Sequence, residues 1–342
     1  MKSKRDKKTV KTKLQRIAED LDISLSTVSR ALNNKPGVNK ETQERIIEYA
    51  GTLDKGLSNN ILQSVGIVDT YSRHKVDSYY VSYLLEGIDE RLHAFNYNAM
   101  LVHSDQIDQQ WHTYGECPVL ESQKGLIWME PLFDEDYLTL VQNNKIPCVV
   151  INNLKEDISI DSVKSNNYAA SLKGIEFLAN QGHTNIGFIG GYLNLTNHKD
   201  RYSGYIDGLK KAGIDKVDSW IIDDIQSWNE DGGFEGMTRI LSMRERPTVV
   251  MLASDLLAAG CYKAVQEQNL RIPEDISIIS FDDAPFAKFL RPGLTTFRQP
   301  LLSMGIEAAN RLISLIMGKQ KDEIQSKLID CPLIVRDSIA KL

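Results

Sequence analysis

The sequence predicts an α/β protein in which a small all-α head, built as a helix-turn-helix, precedes two doubly wound α/β lobes. Three observations lead to that reading. Residues 12–50 contain three short stretches whose apolar residues recur at helical spacing. The roughly 285 residues that follow alternate short apolar runs with amphipathic stretches. Charge also changes sign between the two parts: residues 1–56 hold 13 Lys and Arg against 8 Asp and Glu, a net of +5. The whole 342-residue chain is −6, so residues 57–342 carry −11.

In the head, Thr12 followed three positions later by Gln15 is a capping-box start, and Leu14, Ile17, Ala18 and Leu21 then form one apolar stripe that ends at Asp22. Ser24 caps a second helix with Val28, Ala31 and Leu32 on its inner side. The outer side carries Leu25, Ser26, Ser29 and Arg30, which is too little charge for a face turned to water. Short polar groups and an arginine able to fork onto a guanine edge suit a helix lying in a DNA major groove. After the loop Asn33-Asn34-Lys35-Pro36-Gly37, Asn39 caps a third helix with Ile46, Ile47 and Ala50 inward. A basic head on an acidic chain fits local contact with phosphates. The run Lys2, Lys4, Arg5, Lys7, Lys8, Lys11 and Lys13, opposed only by Asp6, is either a solvated tail or an arm adding such contacts.

Beyond the head, the apolar runs are Val65–Val68, Ala99–Val102, Gly125–Trp128, Cys148–Ile151, Ile186–Ile189, Val249–Leu252 and Ile276–Ile279. Helical patterns stand at Tyr80–Phe95, Tyr168–Asn180, Tyr202–Ala212 and Leu256–Gln268. Strand and helix in alternation imply parallel sheets with helices on both faces, and ligands on such sheets bind beyond the carboxyl ends of the strands. With two lobes, the natural site is the cleft between them.

Other chemistry finds little support. Cys117, Cys148, Cys261 and Cys331 are scattered without a C-x-x-C, the six histidines show no H-x-x-x-H pair, and neither G-x-S-x-G nor G-x-x-x-x-G-K-[ST] occurs. No metal, cofactor or enzymatic activity is therefore expected. The basic N-terminus is not followed by an apolar stretch, and no run approaches the about 20 apolar residues of a membrane helix. The expectation is a cytoplasmic protein with no membrane partner.

Residues 12–50 resemble the headpiece of the lactose/galactose repressor (LacI/GalR) family, whose pattern I-A-x-x-x-x-V-S-x-x-T-V-S-R-x-L-N stands here as Ile17-Ala18, Ile23-Ser24, Thr27-Val28-Ser29-Arg30 and Leu32-Asn33. The resemblance implies base contacts from Leu25, Ser26 and Arg30, and Ser29 and Asn33 complete the expected DNA-binding set. It extends over the rest of the chain through Ile186-Gly187-Phe188-Ile189-Gly190-Gly191, Arg201-Tyr202-Ser203-Gly204-Tyr205, Ala253-Ser254-Asp255, Phe281-Asp282-Asp283 and Leu294–Pro300. These segments are similar to the family's sugar-sensing core, whose lobes are of periplasmic-binding-protein type. The implied division is a head over 1–53, a linker over 54–64 and a core over 65–342. Within the core, one lobe takes about 65–161 and 292–321 and the other about 162–289 and 325–342. The three crossings between lobes are expected near Asp161–Ser165, Phe289–Pro292 and Gln320–Gln325.

By the same resemblance, Arg201 is expected to fork onto sugar hydroxyls, Asp282 to accept from them, and Trp228 to stack on a sugar ring. Ser254 stands before an Asp, as an Asn or Ser often does in the family. Asn152 stands where a relative has Asp; Asn197 and Gln299 align with lesser polar contacts. Asp69, Thr70 and Tyr71 are expected at the lip of the first lobe. One planar fork, one carboxylate, a few amides and an aromatic plate suit a neutral polyol. Taken singly, each residue has a plainer role: an arginine opening a helix is ordinarily a surface ion pair, Trp228 core, and Asp282-Asp283 a helix cap. Between head and core the chain departs from the family. Leu53–Ser64 lacks the usual proline and is about seven residues shorter, so the hinge helix and its minor-groove leucine are in question; Leu57, Ile61 or Leu62 are the candidates to replace it. The resemblance thus implies a homodimeric regulator, a repressor of carbohydrate-utilisation genes. It would bind a near-palindromic operator and answer a small sugar or glycoside. Control by a purine or nucleotide, or by a phosphoprotein partner, is the alternative within the same fold, and a sugar-processing enzyme with a fused head is the alternative outside it.

Overall fold

The computed structural model describes residues 13–32, 35, 37–47, 49–50, 63–69, 78–114, 117–129, 141–152, 159–191, 196–225, 227–319 and 324–342. The chain divides into two compact units, Met1–Gln63 and Ser64–Leu342. The linker residues 54–62, with Leu57, Ile61 and Leu62, lie outside the described residues.

The head consists of α1 (Lys13–Asp20), α2 (Leu25–Leu32) and a third helix, α3, over residues 40–47. Asp22 takes a left-handed φ of 53° and stops the first helix. Ser24 Oγ accepts from the Thr27 amide at 3.1 Å and Asn39 Oδ1 from the Thr42 amide at 2.7 Å, so both later helices carry side-chain caps. Ile17, Val28, Ala31, Ile46 and Ala50 form the buried centre. Two residues expected inside, Leu32 and Ile47, are exposed: Leu32 is the last residue of α2, and Ile46 already fills the position over the core.

The first lobe is a six-stranded sheet in the order β11-β5-β4-β3-β1-β2. Its strands are β1 (Gln63–Asp69), β2 (Tyr97–His103), β3 (Leu126–Met129), β4 (Cys148–Ile151), β5 (Asp161–Ser165) and β11 (Ser326–Ile329). β1 pairs parallel with β3, β3 with β4, β4 with β5 and β5 with β11. Successive side chains serve opposite faces. Ile127 and Met129 pack with α4 (Ser78–Ala94) and α12 (Leu301–Ile316), whereas Leu126 and Trp128 pack towards α5 (Ser104–Tyr114) and α6 (Pro118–Glu121). Glycine sets the closeness of α4 and α12: a Cβ on Gly87 would stand 2.2 Å from the Leu302 carbonyl oxygen, and one on Gly305 2.3 Å from that of Leu84. A helical turn at residues 141–143, α7, precedes β4.

The second lobe has the order β12-β10-β9-β8-β6-β7, with β6 (Ile186–Ile189), β7 (Ile221–Ile222), β8 (Val249–Leu252), β9 (Ser277–Asp282), β10 (Thr295–Arg298) and β12 (Leu333–Ile334). All neighbours are parallel except the β10–β12 pair. Its helices are α8 (Asn167–Asn180), α9 (Thr196–Ala212), α10 (Glu230–Leu241) and α11 (Asp255–Glu267). Gly174 of α8 lies over Met251 and Phe297 on one face, and Gly236 of α10 over Ile189 on the other, so this sheet too is wound on both sides.

The crossings fall later in the sequence than expected. β5 is a full strand of the first lobe, not a crossing. Its polar composition hides it, yet Asp161 is ion-paired to buried Arg311 of α12 at 2.7 Å and Ser162 Oγ bonds to Ser326 Oγ of β11 at 2.9 Å, so both groups are satisfied within the first lobe. The first crossing is at Ser165–Asn167. The second is not at 289–292: β10 adds to the second lobe's sheet, and the chain leaves it between Arg298 and Leu301. The third lies between Ile329 and Leu333, because β11 pairs in the first lobe.

Candidate functional site

On the head, capping by Ser24 fixes where α2 begins and therefore which residues it turns outward. Val28 and Ala31 are buried, Leu25, Ser26 and Arg30 are exposed, and Ser29 is half-buried. The Lys35 amide bonds back to the Arg30 carbonyl at 2.9 Å, and Gly37, at φ 103°, makes the turn towards α3. Tyr49 Oη donates to Asp20 at 2.9 Å, which ties the end of α3 to α1. The expected reading face therefore assembles on one side of one capped helix. Asn33 lies outside the described residues.

In the core, Arg201 is on α9 and only 4% exposed. Its Nε donates to Asn167 Oδ1 at 3.0 Å, one terminal nitrogen donates to the Ala253 carbonyl oxygen, and the other reaches Asp282 Oδ1 at 3.3 Å. The guanidinium carbon lies 4.7 Å from the centre of the Phe281 ring. Among the described residues these bonds use three of the five guanidinium N–H groups and leave one on each terminal nitrogen, the pair with which a fork holds a ligand. Asp282 ends β9 with φ 115° and Asp283 follows with φ 54°, so the chain turns sharply at the carboxyl edge of the sheet. Asp283 is held by Arg298 at 2.7 Å and Arg336 at 2.5 Å. Of the paired acids, Asp283 anchors the turn and Asp282 faces Arg201.

Asp255, fully buried at the start of α11, accepts from the Ala284 amide and the Thr296 hydroxyl, both at 2.8 Å. Burial, and then the charge of Asp282, raise its carboxyl well above the usual carboxylate range. Of the two carboxylates, Asp282 is the one paired with Arg201, and Asp255 is the one pushed towards its protonated form. Ser254 is buried just beyond β8, and its hydroxyl has no hydrogen-bond partner among the described residues. Trp228 is half-buried and stacks on His198 with ring centres 3.5 Å apart and planes 16° apart; His198 Nδ1 is 2.9 Å from the Gly191 carbonyl oxygen and so donates to it. His198, which lies within α9 three residues before Arg201, carries no signal of its own in the sequence.

The remaining expected residues are placed differently. Asn152 and Gln299 are buried, with amides bonded inside the protein: Asn152 to Tyr80 and Ser165, Gln299 to Ser165 and Asn167. Asn197 accepts from Asn167 at 3.2 Å. Asp69 is the last residue of β1. Thr70 and Tyr71 lie outside the described residues. Asn167 and Ser165, unremarked in the sequence, are the residues that join these groups. Among the described residues no cluster of metal-ligating side chains occurs, and no helix is long and apolar enough to cross a membrane. The four cysteines are free and buried.

A DNA-reading head joined to a two-lobed core with a polar site at its strand ends defines a class: a ligand-responsive transcriptional regulator. Residues 13–54 match the model of bacterial regulatory proteins of the lacI family, and residues 175–339 that of the periplasmic binding protein-like domain. In its head the chain is thus similar to bacterial regulatory proteins of the lacI family, and in its core to periplasmic binding protein-like domains. It is 27% identical to catabolite control protein A of Priestia megaterium over 92% of this chain and 95% of that one. It is 29% identical to the HTH-type transcriptional repressor PurR of Haemophilus influenzae over 95% and 98%, and 26% identical to the probable HTH-type transcriptional repressor ExuR of Bacillus subtilis over 95% and 98%. Two solved structures share the fold. The complex of the transcriptional regulator CelR with cellobiose has a TM-score of 0.72 and 21% identity, over 96% of this chain and all of that one. A LacI family regulator from Enterococcus faecium with bound ribose has 0.69 and 22%, over 82% and 99%.

Proposed function

We propose that this regulator is a repressor that binds a near-palindromic operator as a homodimer and is controlled by a small sugar or glycoside at the strand ends of its second lobe. The carrying observation is the Arg201–Asp282 pair, buried at the carboxyl edge of β9, beside an aromatic plate; among the described residues two of its guanidinium N–H groups and the Ser254 hydroxyl have no hydrogen-bond partner. That set suits vicinal hydroxyls on a flat ring: the fork donates, the carboxylate accepts, and Ser254 does either. The cellobiose and ribose complexes of the same fold support the ligand class. In the head, Leu25, Ser26, Ser29 and Arg30 are the base-reading set, with Arg30 as the fork onto a guanine edge. Two-fold symmetry of the operator follows from two heads in one dimer.

A purine is the second reading, favoured by the His198–Trp228 stack and by the likeness to PurR repressors. Selection of bound DNA from a random pool, with and without a panel of sugars, phosphosugars and nucleobases, tests both. A sugar that releases the selected operator supports the first reading, and release by a nucleobase alone replaces it with the second. Retention of the operator under every compound would point to a protein partner as the controlling signal.

A further inference from the structure

Gln299 sits on the second crossing between the lobes, 6% exposed, with both ends of its amide committed inside the protein. Its Oε1 accepts from Ser165 Oγ at 2.5 Å, on the first crossing, and lies 4.0 Å from Cys331 Sγ, on the third. Its Nε2 donates to Asn167 Oδ1 at 3.1 Å, and its backbone amide donates to the Asp282 carbonyl oxygen at 3.2 Å. All three crossings therefore meet at one side chain. From there two arms run outward. In the first lobe, the Ser165 amide donates to Asn152 Oδ1 at 3.1 Å and Asn152 Nδ2 to Tyr80 Oη at 2.6 Å; Tyr80 is buried in the first turn of α4. In the second lobe, the Asn167 oxygen that receives Gln299 also receives Arg201 Nε.

We propose that Gln299 is a positioning residue that couples the Arg201 fork of one lobe to Tyr80 and helix α4 of the other. The amide orientation is set on the Asn167 side: Arg201 Nε fixes Asn167 Oδ1 as an acceptor, so reversing the Gln299 amide would place two acceptor oxygens together. Asn167 Oδ1 shares its two lone pairs between the fork and Gln299, so a ligand that draws Arg201 away from Asn167 alters the Gln299 bond directly. Buried chains of this kind transmit such a change because no water is available to replace a lost partner. The inference rests on the reading that the Arg201–Asp282 site is where the effector acts.

The full-length protein labelled with 3-fluorotyrosine provides the test without effector or DNA, so its outcome is separate from the fate of that reading. The Tyr80 fluorine resonance is assigned by its loss in Tyr80→Phe. Arg201→Lys is expected to shift that resonance in the parent and to shift it no further in a Gln299→Glu background, because glutamate still accepts from Ser165 and no longer donates to Asn167. Gln299→Met is the second background if the glutamate variant does not fold, and Asn167→Ser is the second perturbation if the lysine variant does not. A Tyr80 resonance unmoved by Arg201→Lys, or moved equally with and without Gln299, overturns the proposal. A residue with only a packing role in its own segment would leave the effect of the arginine variant intact.

Discussion

Replacing Arg201 by alanine removes the centre of the site, and the geometry sets the scale of the loss. Asp282, with a side chain only 10% exposed, would lose the guanidinium paired with it. The Ala253 carbonyl and one lone pair of Asn167 would lose their donor. Breaking a buried ion pair from one side costs about 3–5 kcal/mol, because the remaining charge is left without compensation. The sequence alone suggests that Arg201→Ala folds normally and is merely blind to effector. The buried partners add a loss of core stability of about 3–5 kcal/mol, out of a total that for folded domains is about 5–15 kcal/mol. Removing both charges together, as Arg201→Met with Asp282→Asn, is expected to recover part of that loss, since paired replacement leaves no isolated charge. Urea unfolding followed by tryptophan fluorescence isolates the core, because Trp111, Trp128, Trp220 and Trp228 all lie beyond the head. The reasoning fails if Arg201→Ala unfolds within about 1 kcal/mol of the parent, or if the double variant is no more stable than the single one.

Three further outcomes are expected. Arg30→Ala should weaken operator binding by about 1–3 kcal/mol and relax base preference at one position per half-site; equal weakening on random DNA, read by competition binding, would make Arg30 a phosphate contact. Asp283→Ala should lower core stability by about 1.5–3 kcal/mol through loss of its charged hydrogen bonds to Arg298 and Arg336. Asp283→Asn should lower it less, because asparagine tolerates the φ of 54° and keeps one acceptor; equal urea midpoints for the two variants would argue against the anchoring role. His183 is buried, with Nε2 donating to the Ala340 carbonyl oxygen and Nδ1 beside the Thr248 hydroxyl, and burial holds its pKa below 6.5. The unfolded chain therefore binds this proton first, so the contribution of His183 to stability is complete above about pH 6.5 and falls as the pH drops towards its folded value; a urea midpoint that falls just as steeply with acid in His183→Gln would assign the slope to other groups.

How much was legible depends on where the information lies. Each of the seven apolar runs is a strand; six are buried on both faces and so must be continuously apolar, and the seventh, in the edge strand β2, is mostly exposed. The strands without such a run are β5 and β10, whose buried polar residues are paired through Arg311, Asp255 and the Arg336 amide, and the short edge strands β7, β11 and β12. Helix α10 was hidden by Gly232, Gly233 and Gly236, which are poor helix residues in isolation. They are there for contact: a Cβ on Gly233 would stand 2.0 Å from the Leu257 carbonyl oxygen of α11. Expecting the second crossing too early misplaced β10, which pairs in the second lobe, whereas α12 does pack in the first lobe, where the segment 292–321 was expected.

The site shows the same division between local and distant information. Asp282 and Ser254 stand out because each comes within three residues of the end of an apolar run, a position that marks the carboxyl edge of a parallel sheet whatever the rest of the fold does. Asn167 and Gln299 are 132 positions apart and carry no shared spacing, and Tyr80 and Asn152 are separated by 72. Their association arises only when three crossings bring polar chain ends together between two apolar cores. There each amide needs a partner, and the nearest available partners are the other amides. Satisfying those groups internally joins the two lobes through side chains at the place where the backbone passes between them. A fold that must cross three times beside its own ligand site thus acquires a polar link between that site and the opposite lobe, and the residues that form the link look from the sequence like further ligand contacts.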